Sequence, residues 1–538
     1  MARQAQYYRR TTMSQRSRRE FLADVGRGML AGSLGVSLAA ELGLGSVFAE
    51  DGADFPTFGE LEPLVSMMQD APLAKLQTLL VEKLRGGTDL RTLTAAGALA
   101  NARTFAGQDY TGFHTFMALA PAYEMSRALP EARRALPILK VLYRNTNRIH
   151  EFGGRAKQIL RNVEPAKIPA NSPTGELLRK ATRSGDFGRA ESTFAALVNE
   201  RPDEAFNHLQ YSVRDEINVH RVVLAWRAWS MLDIVGKEHS HTLLRQSVRF
   251  CVNSKRGGRQ AVIRSLLPKL LETHKLPGRK PGSRKADDSW INEMSRLVFA
   301  GTREQAADAA AAALAEGFTP ADVGEAISLA ANRLVLNDRG RGKPGSSKLK
   351  PMGSVHGASV GVHASDAANA WRNIARVSND LNAFASLIIG AYHTAGQRGA
   401  VTDAPFHAKA LDAVTAKDRG ALLGETRSAI RGRDQARASA LVERYGELGY
   451  PLRPVMDLLL GFAVSEDGAL HAEKYYHTVE EEFRTTRAKF RWRHPVALAR
   501  VTASEYGLSP SASKSTPKGA GERAPGYEEA CGLLKVDV

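Results

Sequence analysis

Apolar residues recur at intervals of three and four through most of the chain, and alternating Val, Ile and Thr runs are almost absent. That periodicity predicts helices and leaves little room for strands. Residues 308–316, DAAAAALAE, are the extreme case, since alanine and leucine head the helix-propensity ranking. The expected fold class is all-α.

The helical pattern also repeats. A helix, a Gly-containing turn and a second helix are read in VEKLRGGTDLRTLTAAGALA, KATRSGDFGRAESTFAALV, LVFAGTREQAADAAAAALA and SAIRGRDQARASALVERYG. After the last two come GFTPADVGEAISLAANRLVL and GYPLRPVMDLLLGFAV, each with Pro near the start of a new helix. An apolar residue followed by histidine then marks each unit: TGFHTFMALAPAYEM, INVHRVVLAWRAWSM, VGVHASDAANAWRNI and GALHAEKYYHTVEEE. These place His114, His220, His363 and His471 at intervals of 106, 143 and 108 residues. The longest interval contains two basic insertions, KLPGRKPGSRK and RGRGKPGSSKLK, which read as flexible surface loops. The expectation is a helical repeat array of four related multi-helix units, 50–170, 171–285, 286–400 and 401–507, open or closed around a central pocket. Residues 508–538 read as a disordered basic tail. A closed array would bring the four histidines together, whereas an open one would leave them too far apart to share an ion.

Composition narrows the class. With 43% hydrophobic and 24% charged residues among 538, the chain reads as folded and soluble, at a net charge of +17. Ser17-Arg18-Arg19-Glu20-Phe21-Leu22 has the form of a twin-arginine signal, followed by a weakly apolar stretch and a Val47-Phe48-Ala49 cleavage site. Residues 1–49 are therefore expected to be a signal peptide. The implied partner during export is the twin-arginine translocase, and the destination is periplasmic or extracellular. No other apolar run reaches the roughly 18 residues of a membrane span. Cys251 and Cys531 are the only cysteines, which excludes an iron–sulfur cluster held by this chain. Basic residues are not interleaved with stacking aromatics, so nucleic acid is discounted as a partner.

Any metal would then be held by His, Asp or Glu. Histidine at a helix head faces the positive end of the dipole and stays neutral, the form that binds metals or accepts protons. The metal-ligand candidates are His114, His220, His363, His471 and His477, in a donor set that suits Fe, Mn, Cu or Zn. Asp366, three residues after His363, and Glu473, beside His471, join those two histidines as catalytic candidates. Trp226, Trp229 and Trp371 are candidates to line a cofactor pocket, against the plainer reading that they are core.

The segments GFHTFMALAPAYEMSRALPEARRALPILKVLYRN, INVHRVVLAWRAWSML and VGVHASDAANAWRNIAR resemble bacterial proteins built from His-headed helical units, several with twin-arginine leaders. More distantly, the plan is similar to that of questin-oxidase-like proteins, helical enzymes proposed to oxidise aromatic polyketides. That resemblance implies oxygen chemistry, with no defined motif to carry onto numbered positions. The first unit departs from the third, with Ala120 where Asn369 stands.

Two functions follow as expectations. One is an exported protein whose histidines bind a transition metal or metal cofactor, with an oxidoreductase role. The other is a non-catalytic helical-repeat protein that binds a small molecule or protein partner and uses its histidines structurally.

Overall fold

The computed structural model describes residues 54–169, 172–198, 201–254, 258–357, 359–509 and 523–538. The leader falls outside the described residues. Among those described there are twenty-three α-helices and no strand, so the protein is all-α.

Twenty of the helices fall into four successive sets of five, and in each set the histidine marks the fourth. The histidine helices are Tyr110–Ala128, Val219–Val235, Val360–Val377 and Ala472–Thr485. Each packs against the helix that follows it: Leu136–Phe152, Ser240–Asn253, Asp380–Gly396 and Arg493–Glu505. The first histidine helix also packs on the second, the second on the third, the third on the fourth and the fourth on the first. The four histidine helices therefore pack in a closed cycle.

Small residues make this closeness possible. In Arg303–Ala315, five alanines are buried, and a capping box between Thr302 and Gln305 satisfies the first turn. Gly112 and Gly361 each lie two residues before a histidine. A Cβ on Gly112 would stand 2.5 Å from the Phe105 ring, and one on Gly361 would stand 2.8 Å from the Val335 backbone. Polar caps start three of the four helices: Asp109 accepts from Gly112 N, Asn218 from His220 N and Ser359 from Val362 N. The fourth has no such cap. There Gly468, Ala469 and Leu470 all take left-handed φ angles (54°, 52° and 70°), and His471 itself occupies the cap position. Two non-glycine residues in that region store strain of about 1–2 kcal/mol each.

Ring closure is covalently remote and tightly bonded. Lys140, from the first set, donates to the carbonyls of Ala463 (2.8 Å) and Glu466 (2.6 Å) and pairs with Glu473 at 2.6 Å, all buried. Arg523 pairs with the buried Glu466.

Three expectations are corrected here. The Gly-rich turn in VEKLRGGTDL joins the second and third helices of its set, Leu73–Arg85 and Leu90–Phe105, whereas its supposed equivalents join the first and second. A glycine turn alone carried that match, and the true first turn of the set uses Ala71-Pro72. The basic insertions are tied down: Arg284 lies over the Phe318 ring at 4.1 Å, and Arg341 donates to Ser354 Oγ and the His356 carbonyl, both at 2.9 Å. Of the expected tail, residues 510–522 lie outside the described residues, while helix Tyr527–Leu534 is docked on Leu73–Arg85 and Leu136–Phe152, burying Cys531.

Candidate functional site

The four histidine helices bring His114, His220, His363 and His471 into one cluster. Neighbouring ring centroids are 4.8 Å (His114–His220), 5.4 Å (His220–His363), 5.1 Å (His363–His471) and 5.2 Å (His471–His114). His114 and His471 are buried, while His220 and His363 are partly exposed. Tyr110 and Phe113 cover the cluster. The half-exposed Tyr110 ring lies 4.3 Å from that of His114, and Phe113 lies 5.2 Å from His220.

Backbone contacts determine which nitrogens face inward. Nδ1 of His114 is 2.7 Å from the Tyr110 carbonyl, and Nδ1 of His471 is 2.8 Å from that of Ala469. A carbonyl only accepts, so both Nδ1 atoms carry the proton and both Nε2 atoms hold a lone pair. Nε2 of His114 has no hydrogen-bond partner among the described residues. Nε2 of His471 accepts from Nε2 of His363 at 3.1 Å. Burial is the main cause that holds His114, His363 and His471 well below the usual imidazole range, and charge from Lys474 or the neighbouring rings adds to it. All three are neutral at pH 7. Among the described residues, no group of three or more His, Cys, Asp or Glu side chains is already disposed to hold a metal ion.

Three residues below each histidine, one turn further into the protein, stand Met117, Val223, Asp366 and Lys474, all buried. One half of this layer is apolar and the other charged. Burial lowers the Lys474 ammonium to about 7 and raises the Asp366 carboxyl, with their mutual attraction opposing both shifts. Thr478 donates to Asp366 at 3.0 Å.

From there a polar seam continues between the third and fourth histidine helices. Asn369 and Asn373 donate to Glu481 at 3.1 and 3.3 Å, and His477 Nε2 lies 3.5 Å from Glu481. The fully buried Arg227 guanidinium contributes charge to both Asp366 and Glu481. At the outer end, Arg372 pairs with Glu482, which also accepts from Ser328 and Asn369.

The other sequence candidates are placed elsewhere. His477 sits in the seam with Glu481, apart from the four-histidine cluster. Glu473 points to Lys140 at the ring closure. Trp371 Nε1 donates to His393, Trp229 stacks on Phe206 at 4.5 Å, and Trp226 is core. None of the three tryptophans lines the large pocket between the third and fourth histidine helices. Outside the repeat, His241 stacks on Phe194 at 6.2 Å, and burial lowers its imidazole to about 4.

Sequence reasoning missed Lys474, Thr478, Arg227 and Glu481. Lys474 follows His471 by the same three residues as Asp366 follows His363, and that shared spacing was the available signal.

Three comparisons with known proteins were negative: no protein-family model, no curated protein and no solved structure matches this chain.

Proposed function

We propose that the protein is an exported transition-metal protein in which His114, His220, His363 and His471 hold one ion, and that its activity is of the oxidoreductase class. The observation that carries this reading is the closed cycle of ring centroids at 4.8–5.4 Å. With Nε2 about 2.1 Å from an ion, neighbouring centroids stand about 4.6 Å apart in a square arrangement and about 5.3 Å apart in a tetrahedral one. The inward lone pairs of His114 and His471 support it, and so do the backbone carbonyls that orient those rings as outer-shell partners do. Ring rotation and transfer of the His363 Nε2 proton would complete the set. Fe, Mn or Cu would supply one-electron chemistry there, and Zn only Lewis acidity. Lys474, with its pKa about 7 one turn below, is suited to hold or release a proton beside such an ion. The resemblance to questin-oxidase-like proteins points the same way.

The test is metal analysis of protein exported through its own leader, followed by Co²⁺ titration of the stripped protein monitored by its visible absorption. One ion per chain, lost in a His363→Ala/His471→Ala variant, is the expected result. A stripped protein that takes up no Co²⁺ would refute the proposal.

One observation favours the second reading, a non-catalytic binding protein with structural histidines. His363 and His471 already satisfy one another at 3.1 Å, with no ligand set formed around them. Unchanged stability on chelation, with no bound ion, would select it.

A further inference from the structure

A pocket of about 840 Å³ lies at the outer end of the polar seam, between the third and fourth histidine helices and the start of Pro320–Leu336. Its size suits an organic molecule of moderate dimensions. Two arginines in its lining, Arg376 and Arg484, are exposed and have no ion-pair partner among the described residues. Arg372, the third, is neutralised by Glu482. The wall also contains Glu481, held ionised by His477, Arg227 and Asn369. Pro320, Ala321 and Ala375 supply small apolar surfaces between these groups.

We propose that this pocket binds a hydroxylated organic acid, whose carboxylate pairs with Arg376 and Arg484 while its hydroxyls donate to Glu481 and the neighbouring asparagines. Guanidinium groups match a carboxylate through paired N–H donors. The Glu481 carboxylate and the asparagine oxygens already accept bonds from Asn369, Asn373 and His477 but keep further lone pairs, which a ligand hydroxyl can use and an acid without hydroxyls cannot. Glu481 lies ten residues beyond His471, about 15 Å along the helix axis. The pocket is thus distinct from the imidazole cluster, and its occupancy does not depend on whether an ion binds there.

The experiment is calorimetric titration of the full-length protein at low salt, before and after metal stripping, with three probes: D-glucuronate, D-glucose and succinate. Glucuronate carries both features, glucose only hydroxyls and succinate only charge. Saturable binding of glucuronate, at least about tenfold tighter than either other probe, is expected with and without metal. Arg376→Ala/Arg484→Ala, which alters exposed side chains only, should weaken it at least about tenfold, and Glu481→Gln should reduce the preference over succinate. Absence of saturable glucuronate binding, equal binding of all three probes, or binding unchanged in the arginine variant would overturn the proposal. Loss of binding on metal stripping would overturn its independence from the cluster.

Discussion

His363 and His471, 108 residues apart in the chain, meet nitrogen to nitrogen at 3.1 Å. Neither helix could bring them there alone, because each is placed by its own set of five and the contact exists only where the sets close on one another. If the four rings act as equal ligands, single substitutions at His114, His220, His363 and His471 to alanine should each weaken Co²⁺ binding at least about tenfold. A spectroscopic titration of the four variants checks this, and normal affinity in any one removes that ring from the set.

Lys474 is an ammonium group buried at a cost. Its folded pKa of about 7 lies below the unfolded value of 10.5, so between those values the unfolded chain keeps a proton that the folded chain has released. Stability contributed by this group therefore rises with pH across that window. Lys474→Met should raise unfolding free energy at pH 7, by up to about 5 kcal/mol. It should also flatten the rise between pH 7 and 10. Urea unfolding at three pH values measures both effects.

Acid acts through the buried histidines. His356, His494 and His241 are held at about 4 and His393 at about 3, mainly by burial, below an ordinary value of 6.5. The unfolded chain takes up protons below 6.5 that the folded chain refuses, so stability is complete above that pH and declines below it. The carboxyls of Asp338, Asp366, Glu466, Glu505 and Glu529, raised mainly by burial, work in the opposite direction. The net expectation is a loss of at least about 1 kcal/mol between pH 7 and 5.5, read from urea midpoints.

Lys140→Met should cost about 3–5 kcal/mol, because it leaves Glu473 buried without its cation and two carbonyls without their donor. Adding Glu473→Gln should recover part of that loss. Thermal unfolding of the two variants separates the charge effect from the lost carbonyl bonds.

The left-handed residues before His471 make a prediction of opposite sign. Ala469→Gly relieves a φ of 52° and should stabilise the protein by about 1 kcal/mol. Gly361→Ala meets backbone 2.8 Å away and should destabilise it by about 1–3 kcal/mol. Denaturant unfolding of each variant gives the signs.

Helical class and the four histidines were legible because both are local: 3.6-residue periodicity and an apolar–His step can be seen within a window of fifteen residues. The cyclic order of packing was not legible, since it depends on contacts such as Lys140 with Ala463 that no periodicity encodes. Glu473 misled for a related reason. Beside His471 in sequence, it lies on a different face of the helix and serves the ring closure. The tail misled because its Pro-, Ser- and Gly-rich composition extends nearly to Tyr527, and the short amphipathic helix beyond it depends on partners in the first set.

The docking of Tyr527–Leu534 on the first set bears on how the protein is made. Gln77 donates to the Gly526 carbonyl and Arg85 to that of Leu533, pairs separated by 449 and 448 residues. A growing polypeptide cannot form these bonds until residues 526–533 have been made, so helices Leu73–Arg85 and Leu136–Phe152 wait, with apolar flanks uncovered, for helix Tyr527–Leu534. Loss of helix Tyr527–Leu534 would leave that seam open and expose the apolar flanks it covers, turning an otherwise folded ring into a target for aggregation or proteolysis.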